Sequence, residues 1–364
     1  MATIRDVARN AGVSIATVSA VINNTVPVSP ASRQRVLQAI EELQYEPHRG
    51  ARSLKMGVAQ TIGLVISDVT NPFFSAVAGT VERELNARGH ALFLCNSDED
   101  PAKEETYLRV LQSHRVAGII IALAGTGDDY AERVRDLLKA PTVLIDRHHP
   151  KLAFDSVRAD NVEGARLATG RLCELGHRRI GIILGVEHVS TSDERLAGYR
   201  QALAEHGVSF DPALVRYGSF RVEKGFTAAA DLIRSERPSA LFAANNLMAI
   251  GSMQAIAAAG LVCPTDMAVA SFDDFVWATA FQPRMTGIQQ PTEDLARVAV
   301  ELLFERIGGT APQEPRRIVL PVRMVVRNSC GGPRTFPSTA LRSGRGRSSS
   351  RSDGRVRVGR HCRS

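Results

Sequence analysis

The chain has 364 residues, 44% of them hydrophobic and 23% charged. This is the balance of a soluble globular protein with length for two or three domains. Its apolar runs, such as Gly118 to Ala122 and Ile180 to Gly185, are strand-length, well short of the ~20 residues of a membrane span. The formal charge of +7 is unevenly placed: residues 1–60 carry seven Lys/Arg against four Asp/Glu, residues 331–364 carry nine Arg against one Asp, and the middle is acidic at −4. A basic start on an acidic body points to nucleic acid at one end and a different partner in the middle.

Met1 to Val7 has neither the basic start nor the apolar stretch of a secretory signal, so a cytoplasmic location is expected. Five single cysteines (Cys95, Cys173, Cys263, Cys330 and Cys362) form no CxxC pair and read as incidental thiols. His148-His149 has no third ligand at metal-like spacing. Neither a metal nor a cofactor is expected.

Thr3-Ile4-Arg5-Asp6 has the form of a capping box. Ile4, Val7, Ala8 and Ala11 follow at helical spacing, and Gly12 ends the element. Ser14 caps a second helix, with Thr17-Val18 and Val21-Ile22 as its apolar stripe, reaching Asn23-Asn24. Two short helices joined by Gly12-Val13-Ser14 are the signature of a helix-turn-helix. A third helix starts at Ser29-Pro30 and is expected to continue through Val36, Leu37, Ile40 and Leu43 to Tyr45. Residues 1–46 are thus read as an all-α DNA-binding domain and 47–60 as a hinge.

Thr3-Ile4-Arg5-Asp6-Val7-Ala8, Ala11-Gly12-Val13-Ser14, Thr17-Val18-Ser19, Val21-Ile22-Asn23 and Ala51-Arg52-Ser53-Leu54 together closely resemble the lactose/galactose repressor family. The resemblance implies that the helix from Ser14 to Asn23 lies in the major groove. Ile15, Ala16 and Ala20 then occupy the base-reading positions, and Thr17, Ser19 and Asn23 face phosphates. Ala20 stands where the family usually has a polar reader, which removes the commonest bidentate contact to guanine. Residues 47–56 resemble the family's hinge segment, which implies that Leu54 wedges into the minor groove with Arg52 and Lys55 near phosphates. The alternative is a plain linker whose Leu docks on the body.

From Thr61 the pattern alternates strand and helix. Strands are expected at 62–66, 91–95, 118–122, 142–145, 180–184, near 214–215, and at 240–242. Helices are expected at 76–88, 103–113, 129–138, 164–175, 194–206, 225–235 and 248–260. This reads as two lobes of doubly wound parallel sheet in series, with a cleft between them. A dehydrogenase would need GxGxxG after a strand; Gly125-Thr126-Gly127 lacks the third glycine. P-loop and Gly-x-Ser-x-Gly motifs are absent as well, so catalysis is not expected.

The body resembles the periplasmic-binding-protein-like core of the same family, with local matches at Asp68 to Phe74, Asn96 to Pro101, Val143 to Arg147, Glu174 to Ile180, Arg195 to Tyr199, Ala243 to Ala249 and Phe272 to Asp274. What the resemblance implies is a ligand held by Asp146, Arg195, Asn245 and Asp273, with Phe73, Phe74 and Phe220 against its apolar face. Gln290 falls at a crossover between lobes. Trp277 is read either as a wall of the cleft or as core. Such a set suits a sugar or sugar derivative. Two departures matter: Asn246 replaces the usual acid of Ala-Asn-Asp, and Val189 stands where purine-binding members carry an arginine.

The expected architecture is therefore an N-terminal helix-turn-helix domain plus an α/β two-lobed core over 61–330. The N-lobe takes about 61–159 and 289–320, and the C-lobe about 160–288 and 321–330. Residues 331–364, rich in Arg, Ser and Gly, are read as a disordered basic tail, either a nonspecific nucleic-acid contact or a dispensable extension. The expected partners are double-stranded, pseudo-palindromic operator DNA, a small-molecule effector and a second copy of the chain, with no membrane. The other reading is a sugar sensor or carrier that regulates no gene.

Overall fold

Thr3 starts the first helix, Ile4–Ala11 (α1), through a closed capping box: its hydroxyl accepts from the Asp6 N–H, and the Asp6 carboxylate accepts from the Thr3 N–H at 2.9 Å. Gly12, left-handed at φ 62°, ends it. Ile15–Asn23 (α2) follows, with Ser14 Oγ accepting from the Thr17 N–H at 3.1 Å. Pro30–Glu42 (α3) begins at the Ser29 cap with proline in its first turn. The sequence carries this helix to Tyr45, but it stops at Glu42. Gln44 turns left-handed at φ 45°, and the Tyr45 N–H closes back onto the Ile40 carbonyl at 3.0 Å. Val7, Ala8, Ala11, Val18, Val21, Val36 and Ala39 form the buried core of this small domain.

The computed structural model describes residues 2–23, 26–45, 60–280 and 282–331, apart from the side chains of Asn23, Val276 and Trp277. The expectations for Arg52, Leu54 and Lys55, for the Asn23 and Trp277 side chains and for the basic tail lie outside the described residues. No helix among the described residues is long and apolar enough to cross a membrane.

Two six-stranded sheets make the body. The first has strands Thr61–Ile66 (β1), Ala91–Asn96 (β2), Gly118–Ile121 (β3), Thr142–Ile145 (β4), Asp155–Ala159 (β5) and Arg317–Leu320 (β11), in the order β11-β5-β4-β3-β1-β2. All its pairings are parallel. Helices Pro72–Ala87 (α4) and Thr292–Ile307 (α11) cover one face, and Pro101–Ser113 (α5) and Asp128–Leu137 (α6) cover the other. With both faces covered, the central strands β1, β3 and β4 read as nearly continuous apolar runs.

The second sheet has Ile180–Leu184 (β6), Val215–Tyr217 (β7), Ala240–Ala243 (β8), Ala268–Phe272 (β9), Thr286–Gln289 (β10) and Arg323–Val325 (β12), in the order β12-β10-β9-β8-β6-β7. Its one antiparallel pairing is β10 with β12. Asn161–Glu174 (α7), Ser190–Glu205 (α8), Val222–Ser235 (α9) and Asn246–Ala258 (α10) pack on it. The chain passes between the sheets three times, after β5, β10 and β11, because α7 packs on the second sheet and α11 on the first.

Helices α4, α7, α8, α9 and α10 each begin two to four residues earlier than apolar periodicity indicates. Their starts are set by the residues just before them and not by the apolar stripe. Asn71 caps α4 by accepting from the Phe73 N–H at 3.0 Å, and Asn245 caps α10 by accepting from the Met248 N–H at 2.8 Å.

Candidate functional site

In a parallel sheet the carboxyl ends of the strands are where loops can converge on a ligand. Asp146 directly follows β4 and Asp273 directly follows the corresponding β9, both left-handed, at φ 66° and 67°. Asp is among the few residues that adopt this conformation readily. The two carboxylates thus face the same cavity from opposite lobes.

That cavity, about 20 Å³, is lined by Asp68, Asn71, Phe73, Phe74, Glu99, Asp146, Arg147, Thr191, Arg195, Phe220, Asn245, Asp273 and Gln290. All eight sequence-derived ligand candidates are brought together here. Missed from the sequence were Asp68, Asn71, Glu99, Arg147 and Thr191. The Asn71-Pro72 pair is a helix-start signal that the expected start at residue 76 passes over; the ion pair described next has no local signal.

Arg195 reaches in from α8. It donates from Nε to Asn161 Oδ1 at 2.9 Å and from Nη1 to the Ala244 carbonyl, and it stacks 3.8 Å above the Phe272 ring. Burial pulls its guanidinium below the usual value, while Asp273 and Asp146 pull the other way. The same burial pushes the Asp146 carboxyl up to about 6, against Arg147 and Arg195. Asp273 is also raised by burial, opposed by Arg195 and by the hydrogen bond from Gln290 Nε2.

Arg147 is held by a bidentate pair to Glu99, both bonds 2.7 Å, and by the Leu123 carbonyl at 2.8 Å. Burial works against its charge, and Glu99 more than offsets this. Its guanidinium lies 5.1 Å from the centre of the Phe220 ring, which belongs to the other lobe. Asn246, the departure from the family pattern, donates to Asn71 Oδ1 at 3.2 Å, again across the cleft. Arg147 Nε, Thr191 Oγ1, Asn246 Oδ1 and Gln290 Oε1 are among the buried polar atoms of the described residues that have no hydrogen-bond partner.

Behind this wall Glu104, in the first turn of α5, accepts from the Tyr130 hydroxyl at 2.6 Å and the Ala124 N–H at 2.8 Å. Burial pushes its carboxyl from the usual 4.5 up to about 7. Between these values the folded chain keeps a proton that the unfolded chain has released, so this group's contribution to stability falls as pH rises through that window. Glu104→Gln should therefore flatten the decline in melting temperature between about pH 4.5 and pH 7. Parallel melting curves for variant and parent would exclude Glu104 as its source.

In the helix-turn-helix, Val18 and Val21 of α2 are buried while Ile15 and Ala16 are exposed and Thr17, Ser19 and Ala20 are half-buried. The residues assigned to DNA therefore lie largely on the outward side of α2. Thr17 Oγ1 is 2.9 Å from Ser14 Oγ.

Known proteins place this geometry. Residues 3–48 match the model for bacterial regulatory proteins of the lacI family, and residues 169–330 match that for a periplasmic binding protein-like domain. The HTH-type transcriptional repressor PurR of Haemophilus influenzae (strain PittEE) is 35% identical over 332 residues, covering 90% of this chain and 98% of that protein. The transcriptional regulator CelR in its cellobiose complex is 36% identical with a TM-score of 0.68, covering 90% of this chain and 100% of that one. The lac repressor dimer bound to operator and the anti-inducer ONPF is 27% identical with a TM-score of 0.79, covering 90% of this chain and 99% of that one. The chain belongs to the lacI family of bacterial regulatory proteins: it is a helix-turn-helix transcriptional regulator with a two-lobed periplasmic-binding-protein-like core.

Proposed function

We propose that this regulator is a homodimeric repressor of carbohydrate-utilisation genes, and that a sugar or sugar derivative in the interlobe cleft changes its affinity for a pseudo-palindromic operator. The observation that carries this reading is the convergence of Asp146, Arg195, Asn245, Asp273 and Gln290 with Phe73, Phe74 and Phe220 on one cavity. A sugar ring has an apolar face for the phenylalanines and hydroxyl rims for the carboxylates and arginine. Its hydroxyls also satisfy Thr191 Oγ1 and Gln290 Oε1, which otherwise stay unpaired. The relative CelR, by its description, binds cellobiose. Another regulator of this family, from Enterococcus faecium, is 28% identical and holds ribose.

DNA is read by Ile15, Ala16 and Ala20, positioned by Thr17, Ser19 and Asn23, with Leu54 between Arg52 and Lys55 at the operator centre. Two-fold symmetry in the protein would be mirrored in the operator. A purine suits the cleft less well, because Val189 is a buried aliphatic side chain with no donor to offer.

Melting curves of the whole chain with cellobiose, ribose and hypoxanthine test the reading, followed by operator-binding assays with any ligand that responds. A ligand at about 100 times its Kd should add roughly 2.7 kcal/mol to stability. The expected result is a sugar that raises the melting temperature and shifts operator affinity. A response to hypoxanthine alone would overturn the sugar assignment.

A further inference from the structure

The mouth of the cleft is made by corresponding loops of the two lobes. β2, at the edge of its sheet beside β1, leads into Asp98 and Glu99, both left-handed at φ 59°. β7, at the edge beside β6, leads into Ser219 and Phe220, left-handed at 49° and 56°. Two successive non-glycine residues in this region are costly, and such strain persists only where the surroundings enforce it. Here each pair turns one residue, Glu99 or Phe220, onto the cavity wall.

The next residue on the C-lobe side, Arg221, crosses to the N-lobe. Its Nη1 donates to Asp68 Oδ2 at 2.8 Å, and its Nη2 donates to the Asp98 carbonyl at 3.2 Å and to Asp98 Oδ1. The reciprocal arm is Arg147, which is fixed by Glu99 in the N-lobe and lies over Phe220 of the C-lobe. The opposite side of the cleft has its own ties, Arg158 to Glu194 at 2.8 Å and the His148 N–H to Ser190 Oγ at 3.1 Å. Those lie beside the segments where the chain itself joins the lobes. Among the described residues no chain segment crosses at the mouth, so side chains hold the lips.

We propose that Arg221 is the gate of the cleft: its bonds to Asp68 and Asp98 hold the two lips together and set how fast an effector enters and leaves. The inference rests on the cleft being the effector site, but its test needs no effector. Burial decides which bond dominates. The Asp68 side chain is 5% exposed and that of Asp98 is 51% exposed, so solvent screens the second pair far more than the first. Asp68 Oδ1 separately accepts from the Thr70 N–H and hydroxyl, a turn that an asparagine side-chain carbonyl can keep.

Hydrogen exchange on the full chain, compared with Arg221→Gln and Asp68→Asn, measures the gate. The amides to follow are those of Glu99 and Asp100 on one lip and Ser219 and Arg221 on the other, all hydrogen-bonded within their own lobe. Opening is local, so strands β1 and β8 serve as the internal reference. In both variants the amides of both lips should exchange about tenfold faster than in the parent, with β1 and β8 unchanged. Acceleration limited to the lip carrying the substitution would overturn the gate, because each variant would then loosen only its own loop. So would no acceleration, or equal acceleration in β1 and β8.

Discussion

Arg195→Met should lower effector affinity by about 30-fold to several thousand-fold while the effector-free protein still binds operator. The range corresponds to roughly 2–5 kcal/mol for removing one partner of a buried charged hydrogen bond. Methionine keeps much of the side-chain volume over the Phe272 ring, so the loss reads charge and hydrogen bonding more than packing. Two acids, Asp146 and Asp273, remain facing the cavity without their shared cation. Their proton affinity should rise further, making the residual binding steeply pH-dependent. Calorimetric titration with the responding sugar, beside operator binding without it, measures both sides. Undiminished sugar affinity would remove Arg195 from the site.

Gly198→Ala should cost about 3 kcal/mol and lower the melting temperature by about 10 °C, at the upper end of what overpacking a core usually costs. A Cβ at this position would sit 2.0 Å from the Val162 carbonyl oxygen and 2.9 Å from Ala165 Cβ. The first of these is backbone and cannot rotate away, so α7 and α8 would have to separate. Gly198 lies one helical turn beyond Arg195, and Val162 follows Asn161, the residue that holds Arg195 Nε. Sugar affinity should therefore fall with stability, even though the glycine does not touch the cavity. Gly170→Ala in α7 is the control: its Cβ would meet only His206 Cε1, at 3.5 Å, an ordinary contact. Equal melting temperatures for parent and Gly198→Ala would show that the two helices can relax.

The consequences reach operator binding through the same two lobes. A ligand shifts an equilibrium only by its difference in affinity for the two states. The cross-lobe contacts of Arg147, Arg221 and Asn246 are where such a difference can arise. None of them was legible in the chain read linearly. Asp68 and Arg221 are 153 residues apart, and Asn71 and Asn246 are 175 apart.

What the sequence determined by itself was set by local physics. The capping box at Thr3, the left-handed Gly12 and the proline start of α3 specify the helix-turn-helix from neighbouring residues alone. The runs in β1, β3, β6 and β8 announce parallel strands because both faces of each sheet are covered and nearly every position is apolar. The same logic explains the failures. Asp155–Ala159 contains Asp155, paired with Arg306 of α11, and Arg158, paired with Glu194 of the other lobe, and reads as no strand at all. Helix starts are hard to read from apolar periodicity because they are set by caps such as Asn71 and Asn245, not by the stripe that follows. The eight cavity residues came from resemblance to a family, not from any pattern in the chain. Their meeting, and the ion pairs that join the lobes, were decided by the tertiary structure. Electrostatic contacts depend on distance in space, and only the three crossings between two sheets bring these charges within reach.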